Sequence, residues 1–325
     1  MSIRCFRFLP DGTVETRDAL PARLPDDGAN PSVWWFDLWA PTPEQVQSLS
    51  DLMSLESHTI EELSEDDGRA NIDYFEDYAG LLLYGMLGAE ESDQPRPRMI
   101  NLICTAQAVA TVHAQSIGSI EYLVGRVTRI APQVSKKGVG HLLFLHLDKM
   151  VDNSMMLAKR YEQELEVLED RSVDIDCEDD LLEDLADVRR RVLDLWQVQV
   201  AQREVLIELC DNELDHLSDE GRRRLEHVRD HMTSSLEIVE ILRGMVGEVR
   251  ENYRTTISLR SADAMNKLTV FAGLMLPVSV IAGIYGMNVP LWPDPSRPGT
   301  FWVVIGSMAG VMAALTVYFR RRNWL

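Results

Sequence analysis

Basic residues are scarce in this 325-residue chain: 32 lysines and arginines stand against 52 aspartates and glutamates, a formal charge of −20. Phosphate binding needs a basic face, so the balance argues against nucleic acid as a partner. An acidic body attracts cations instead, within a Debye length of about 8 Å at physiological salt; plain solubility is the simpler reading of the same charge. Cysteine is rare and scattered (Cys5, Cys104, Cys177, Cys210, no CxxC), which fits reduced thiols and no disulfide framework. Proline is absent between Gln133 and Leu276, so nothing in that stretch forces a helix to stop. No GxxxxGK[ST], GxSxG, HExxH or EF-hand pattern occurs, and no enzyme reading finds support. The N-terminal Met1-Ser2-Ile3-Arg4-Cys5 has too short an apolar stretch before Pro10-Asp11-Gly12 to predict a secretory leader.

What is present falls into distinct zones. Residues 1–135 predict a cytosolic domain that mixes strands and helices. Ile3–Leu9, Val33–Leu38, Tyr78–Met86, Ile100–Thr105 and Gln107–His113 read as strands. Thr42-Pro43-Glu44-Gln45 reads as a helix start, with Thr42 as N-cap. Ser57–Leu63 and Ile117–Ile130 predict two further helices. From about Val139 the apolar residues recur at helical spacing. Three long helices are expected, near 139–171, 177–214 and 219–287. The first two form an acidic antiparallel pair within 136–218: Tyr161 to Asp187 holds thirteen carboxylates and one arginine. Such helices could be held together by divalent cations, although for any single residue a solvated polar face is the simpler reading. The third is a stalk, 219–266, that enters a membrane without a turn signal.

Leu268 to Met287 is a 20-residue uncharged run. At 1.5 Å per residue it makes about 30 Å of helix, enough to cross a bilayer. It predicts a first span at 267–288. A loop at 289–300 follows, with four prolines and two charges, Asp294 and Arg297. The second span covers 301–319, and the basic tail 320–325 starts with Arg320-Arg321-Arg322. Lys267 and the three arginines place both termini in the cytoplasm by the positive-inside rule. Two spans cannot enclose a pore, so passage of an ion requires an oligomer. Steps of three and four along the first span trace a small or flexible face: Met265, Thr269, Ala272, Leu276, Ser279 and Gly283, ending near Asn288. It carries no carboxylate. Ordinary packing of small residues would give the same pattern.

Ile281-Ala282-Gly283-Ile284-Tyr285-Gly286-Met287-Asn288, two terminal spans and a tail ending Asn323-Trp324-Leu325 resemble the CorA metal-ion transporter superfamily. The resemblance covers the whole layout; its specific motif lies in the last 60 or so residues. It implies an α+β cytosolic domain, a long stalk helix and two C-terminal transmembrane helices, assembled as a funnel-shaped homopentamer. It further implies lipid as the surrounding medium, a bacterial inner membrane, and uptake of divalent cations: Mg2+ first, with Co2+ and Ni2+ less specifically. No cofactor is implied beyond a transported or regulatory cation. Gly286, Met287 and Asn288 become the selectivity filter, with five Asn288 side chains as a polar ring. Met265, Leu268, Ala272, Leu276 and Ser279 become pore-lining or gating positions, and Glu251 an acid near the cytosolic mouth.

The sequence departs from the family pattern twice. Mg2+-selective members usually follow the tripeptide with Met-Pro-Glu-Leu; here Val289-Pro290-Leu291-Trp292 follows. Where some members carry an acidic sensor one turn before an Asp-His pair, His227 precedes Asp230-His231. His227 and His231 lie four apart on one helical face, a spacing that can chelate Zn2+, Ni2+ or Co2+, although a solvated or interfacial face is the simpler reading. A ZntB-like Zn2+ transporter, possibly proton-coupled, is therefore the first alternative. A membrane-anchored metal sensor that conducts nothing is the second.

Overall fold

The computed structural model describes residues 3–25, 31–63, 68–86, 97–174, 180–212, 219–287, 289, 292–293, 299–322 and 324. They divide into two compact units, 1–168 with 179–249 and 169–178 with 250–325.

The first unit is built on a seven-stranded sheet. In chain order its strands are β1 (Ile3–Phe8), β2 (Val14–Arg17), β3 (Val33–Trp39), β4 (Asn71–Tyr74), β5 (Tyr78–Met86), β6 (Pro97–Thr105) and β7 (Ala108–His113). The spatial order is β2-β1-β3-β7-β6-β5-β4. Only β3 and β7 pair in parallel; the other neighbours are antiparallel. Side chains alternate across a strand, and both faces of this sheet are covered. Trp34, Phe36 and Leu38 enter one core with Val46, Leu49 and Met53 of α1 (Pro43–Met53), beside the short α2 (Ser57–Glu62). Val33 and Trp35 enter the other, with Phe6, Phe8, Leu102 and Val109. Each such large side chain contributes about 1.5–3 kcal/mol when fully buried.

α1 starts as its sequence predicts. Thr42 accepts from the Gln45 amide, the Gln45 side chain accepts from the Thr42 amide at 2.9 Å, and Pro43 occupies the first turn. The helix expected over Ile117–Ile130 is instead two, α3 (Gly118–Val124) and α4 (Val127–Lys137). Gly125 closes the first, its amide donating to the Glu121 carbonyl, and Arg126 leaves helical geometry with φ −122° and ψ 12°. The edge strands β2 and β4, four residues each, have no counterpart among the expected strands.

The long helices are α5 (Val139–Ser172), α6 (Leu181–Asp211) and α7 (Asp219–Tyr285). Within the first unit they share one seam. Leu157, Tyr161, Leu165 and Leu168 of α5 meet Leu185, Val188, Val192 and Leu195 of α6 and Val239, Leu242, Val246 and Val249 of α7. Steps of three and four put each set on one stripe of its helix, which drives the association by burial. Arg191 bridges the acidic pair, contacting Glu164 at 2.5 Å and lying over the Tyr161 ring.

A buried carboxylate ties the sheet to α3. Asp37 of β3 accepts from Arg4 Nε at 2.8 Å and Thr111 Oγ1 at 2.7 Å, and lies 3.0 Å from His113 Nε2. Arg4 also grips Glu121 of α3 with both terminal nitrogens, at 3.0 and 2.7 Å. Burial pushes the Asp37 carboxyl up, but His113, Arg4 and Thr111 outweigh it and hold it below the ordinary range. Beneath lies His146, edge-on to Trp35, with Nδ1 at 2.9 Å from the Leu142 carbonyl and Nε2 buried without a partner. Burial lowers its pKa from 6.5 to about 4. His141 is lowered to about 4 as well, by burial and then by Arg224 and Lys137.

Two outcomes follow from these contacts. Asp37→Ala strands Arg4, Thr111 and His113 and costs about 3–5 kcal/mol, read as a lower thermal midpoint of the purified protein; an unchanged midpoint contradicts the network. Both depressed histidines are neutral in the folded chain, so their contribution is complete above pH 6.5 and is lost as pH falls from 6.5 toward about 4. The slope is up to about 1.4 kcal/mol per pH unit for each ring. The midpoint should therefore drop between pH 7 and pH 5, and His146→Phe, which keeps an aromatic edge on Trp35, should drop less.

Candidate functional site

Residues 250–285 form the C-terminal half of α7, and α8 (Thr300–Arg321) returns beside it. Hydroxyl groups along this stretch bond back to carbonyls of their own helix: Thr255 to Glu251, Ser258 to Arg254, Ser261 to Ile257 and Thr269 to Met265, at 2.8–3.0 Å. That satisfies the hydroxyls within the helix, which hydrocarbon requires of Thr269, inside the apolar run. Thr256 instead donates across to the Ser172 carbonyl at the end of α5, at 2.8 Å. Pro277 sits inside the helix, which continues through it to Tyr285.

The two apolar helices meet along one side only. On α7 the covered positions are Val270, Gly273, Leu274, Pro277, Val278, Ile281 and Tyr285; on α8 they are Thr300, Val304, Met308, Val311, Leu315, Thr316 and Phe319. Successive helical residues turn by about 100°, so Met265, Leu268, Thr269, Ala272, Leu276, Ser279 and Gly283 fall roughly opposite that seam. All seven are exposed, Leu268 and Leu276 at 67% each. The sequence-expected face is thus brought together on one stripe, pointed away from α8. Both apolar helices are long enough to cross a membrane, and their apolar windows are almost wholly uncovered within the chain.

At its far end α7 tightens. The Gly286 amide donates to the Ala282 and Gly283 carbonyls at 2.9 and 3.2 Å, and Met287 donates to Ile284 at 3.2 Å. A Cβ on Gly286 would stand 3.2 Å from the Ala282 carbonyl oxygen, so glycine suits the tight exit. The Tyr285 hydroxyl donates to the Trp292 carbonyl at 3.2 Å and ties the helix end to the following loop. Asn288, expected to complete the tripeptide, lies outside the described residues.

Other expected residues stand apart from this stripe. Glu251 is exposed and 3.9 Å from Arg254. The His227 and His231 rings lie with centroids 4.2 Å apart and planes tilted by 51°, while the Asp230 carboxylate is taken by Arg229 at 3.0 Å. Among the described residues, no group of three or more His, Cys, Asp or Glu is placed to hold a metal ion. The sequence reading missed the packing partners of the first span; the Gly273 notch and Phe319 carry no motif that would have revealed them.

Comparison with known proteins bears on the whole arrangement. The chain is 24% identical over 315 residues to the cobalt/magnesium transport protein CorA of Thermotoga maritima, covering 96% of this chain and 88% of that one. It is 23% identical over 304 residues to the zinc transport protein ZntB of Yersinia pseudotuberculosis, covering 90% and 88%. The solved structure of the CorA magnesium transporter from Methanocaldococcus jannaschii superposes with a TM-score of 0.85 at 19% identity, over 100% of this chain and 99% of that one. The family model described as CorA-like Mg2+ transporter protein matches residues 30–321, from the sheet through both apolar helices, and the chain belongs to that family.

Proposed function

We propose that this chain assembles as a homopentamer in a bacterial inner membrane and conducts hydrated divalent cations into the cell, Mg2+ first and Co2+ or Ni2+ less specifically. The observation that carries the reading is the exposed, charge-free stripe of α7 opposite its seam with α8, ending at Gly286-Met287. Five such stripes around an axis would line a passage, with lipid covering the remaining apolar surface. In this topology 1–218 and the stalk 219–266 are cytosolic, 267–288 and 301–319 span, 289–300 lies outside and the tail 320–325 returns to the cytoplasm.

The chemistry suits Mg2+. This ion sheds its water reluctantly, and a ring of neutral Asn288 amides can hydrogen-bond the hydration shell without stripping it. A carboxylate ring would hold the ion longer than conduction allows. Leu268 and Leu276 serve as apolar constrictions that gate by dewetting, Ala272, Ser279 and Met265 line the path between and below them, and Glu251 gathers cations at the cytosolic mouth. An inside-negative potential supplies about 4.6 kcal/mol per 100 mV for a dication. A regulatory metal at His227, Asp230 and His231 would need ligands from a neighbouring chain. No catalytic role is assigned.

The second reading is Zn2+ transport. The similarity to a ZntB protein favours it, as do the paired imidazoles of His227 and His231 and the absence of Met-Pro-Glu-Leu after the tripeptide.

Flux into liposomes separates the readings. Mg2+ entry without proton movement is expected; saturable Zn2+ uptake that requires a pH gradient would replace the first reading with the second. No flux of any divalent ion through a verified pentamer would leave a metal sensor. Asn288→Ala should abolish Mg2+ flux while the oligomer persists by size-exclusion chromatography with light scattering, and wild-type flux in that variant would refute the polar ring.

A further inference from the structure

We infer that Gly273, Phe319 and Trp324 form an aromatic clamp that sets the rotation of α7 within the span, making them positioning residues for ion passage. The inference rests on the reading that the exposed stripe of α7 lines the passage. Phe319 and Val270 are the best-buried apolar side chains of the paired spans, at 8% and 3% exposed. The edge of the Phe319 ring fits where Gly273 has no side chain: a Cβ there would stand 2.9 Å from Cζ and 3.2 Å from Cε2. The face of the ring is stacked by Trp324, with centroids 5.9 Å apart and planes at 13°.

The tail does not reach this position by continuing the helix. α8 ends at Arg321, the Arg322 amide donates to the Tyr318 and Phe319 carbonyls, and the Trp324 amide donates back to the Phe319 carbonyl at 3.1 Å. The same residue is thus held at its backbone, at its ring face and at its ring edge. Such a ring has little room to yield when its edge is pushed. Gly273 directly follows Ala272 and lies between Leu268 and Leu276, so a shove on this notch turns the residues assigned to the constriction. Elsewhere along the seam no glycine meets an aromatic ring this closely among the described residues.

A size swap in the full-length protein tests the clamp. Gly273→Leu should lower Mg2+ flux into liposomes roughly tenfold, the factor that modest overpacking is worth. Adding Phe319→Ala should restore flux to near the wild-type value, because the leucine then fills the space the ring leaves and the close contact that sets the rotation is kept from the other side of the seam. Trp324→Ala should lower flux and Trp324→Phe should retain it, since a phenyl ring can still stack. A readout independent of transport is the labelling rate of Ser279→Cys by a water-soluble thiol reagent, followed on its own peptide by mass spectrometry. Gly273→Leu should change that rate and the added Phe319→Ala should return it. Wild-type flux and labelling in Gly273→Leu, or no return with Phe319→Ala in a protein of unchanged oligomeric state, would overturn the clamp. A wild-type protein that passes no divalent ion, yet shows the labelling shift and its reversal, would sink the transport reading and leave the clamp standing.

Discussion

Hydrocarbon offers a backbone amide no partner except its own chain, and that constraint shapes the end of this protein. An uncharged run such as Leu268 to Met287 has to form helix to pair its amides and carbonyls. The Thr269 hydroxyl obeys the same demand by bonding one turn back to Met265. Where the helix closes, Gly286 and Met287 satisfy their amides by tightening onto Ala282, Gly283 and Ile284. Gly286 and Met287 therefore sit where regular helix gives way to loop.

Helicity alone leaves the rotation of a span undetermined. In lipid no hydrophobic force draws two apolar helices together, so close packing has to select the contact. Gly273 opposite Phe319 supplies it. Once that side is covered, the diametrically opposed residues are committed to another neighbour: lipid, a second copy or an ion path. The face left open carries Ala272, Ser279 and Gly283 among larger apolar side chains and no charge.

The sheet follows a different rule. Water surrounds the first unit, so its core forms by burial, and aromatic residues on both sides of β3 anchor a helix layer to each face. Within that apolar strand Asp37 is tolerated because three donors meet it. The arrangement fixes β1, β3, β7 and α3 together through one carboxylate and Arg4. The acid stood in plain view in Val33-Trp34-Trp35-Phe36-Asp37, but its partners lie on strands and a helix distant in sequence, which no local pattern displays.

Sequence by itself determined the elements whose signal is local. Alternation gave β1, short apolar and aromatic runs gave β3, β5, β6 and β7, capping chemistry gave the start of α1, and unbroken apolar periodicity with no proline until Pro277 gave the long helices. Charge-free length gave the spans, and Gly-Met-Asn at the end of the first gave the family. Tertiary structure decided what depends on partners far along the chain. β2 and β4 are strands because β1 and β5 offer them edges, and a single helix at 117–130 became two around Gly125 and Arg126. It also decided which side of α7 turns from α8, because a seam is chosen by the fit of Phe319 against Gly273, a contact between residues 46 positions apart (319 − 273) that periodicity cannot encode.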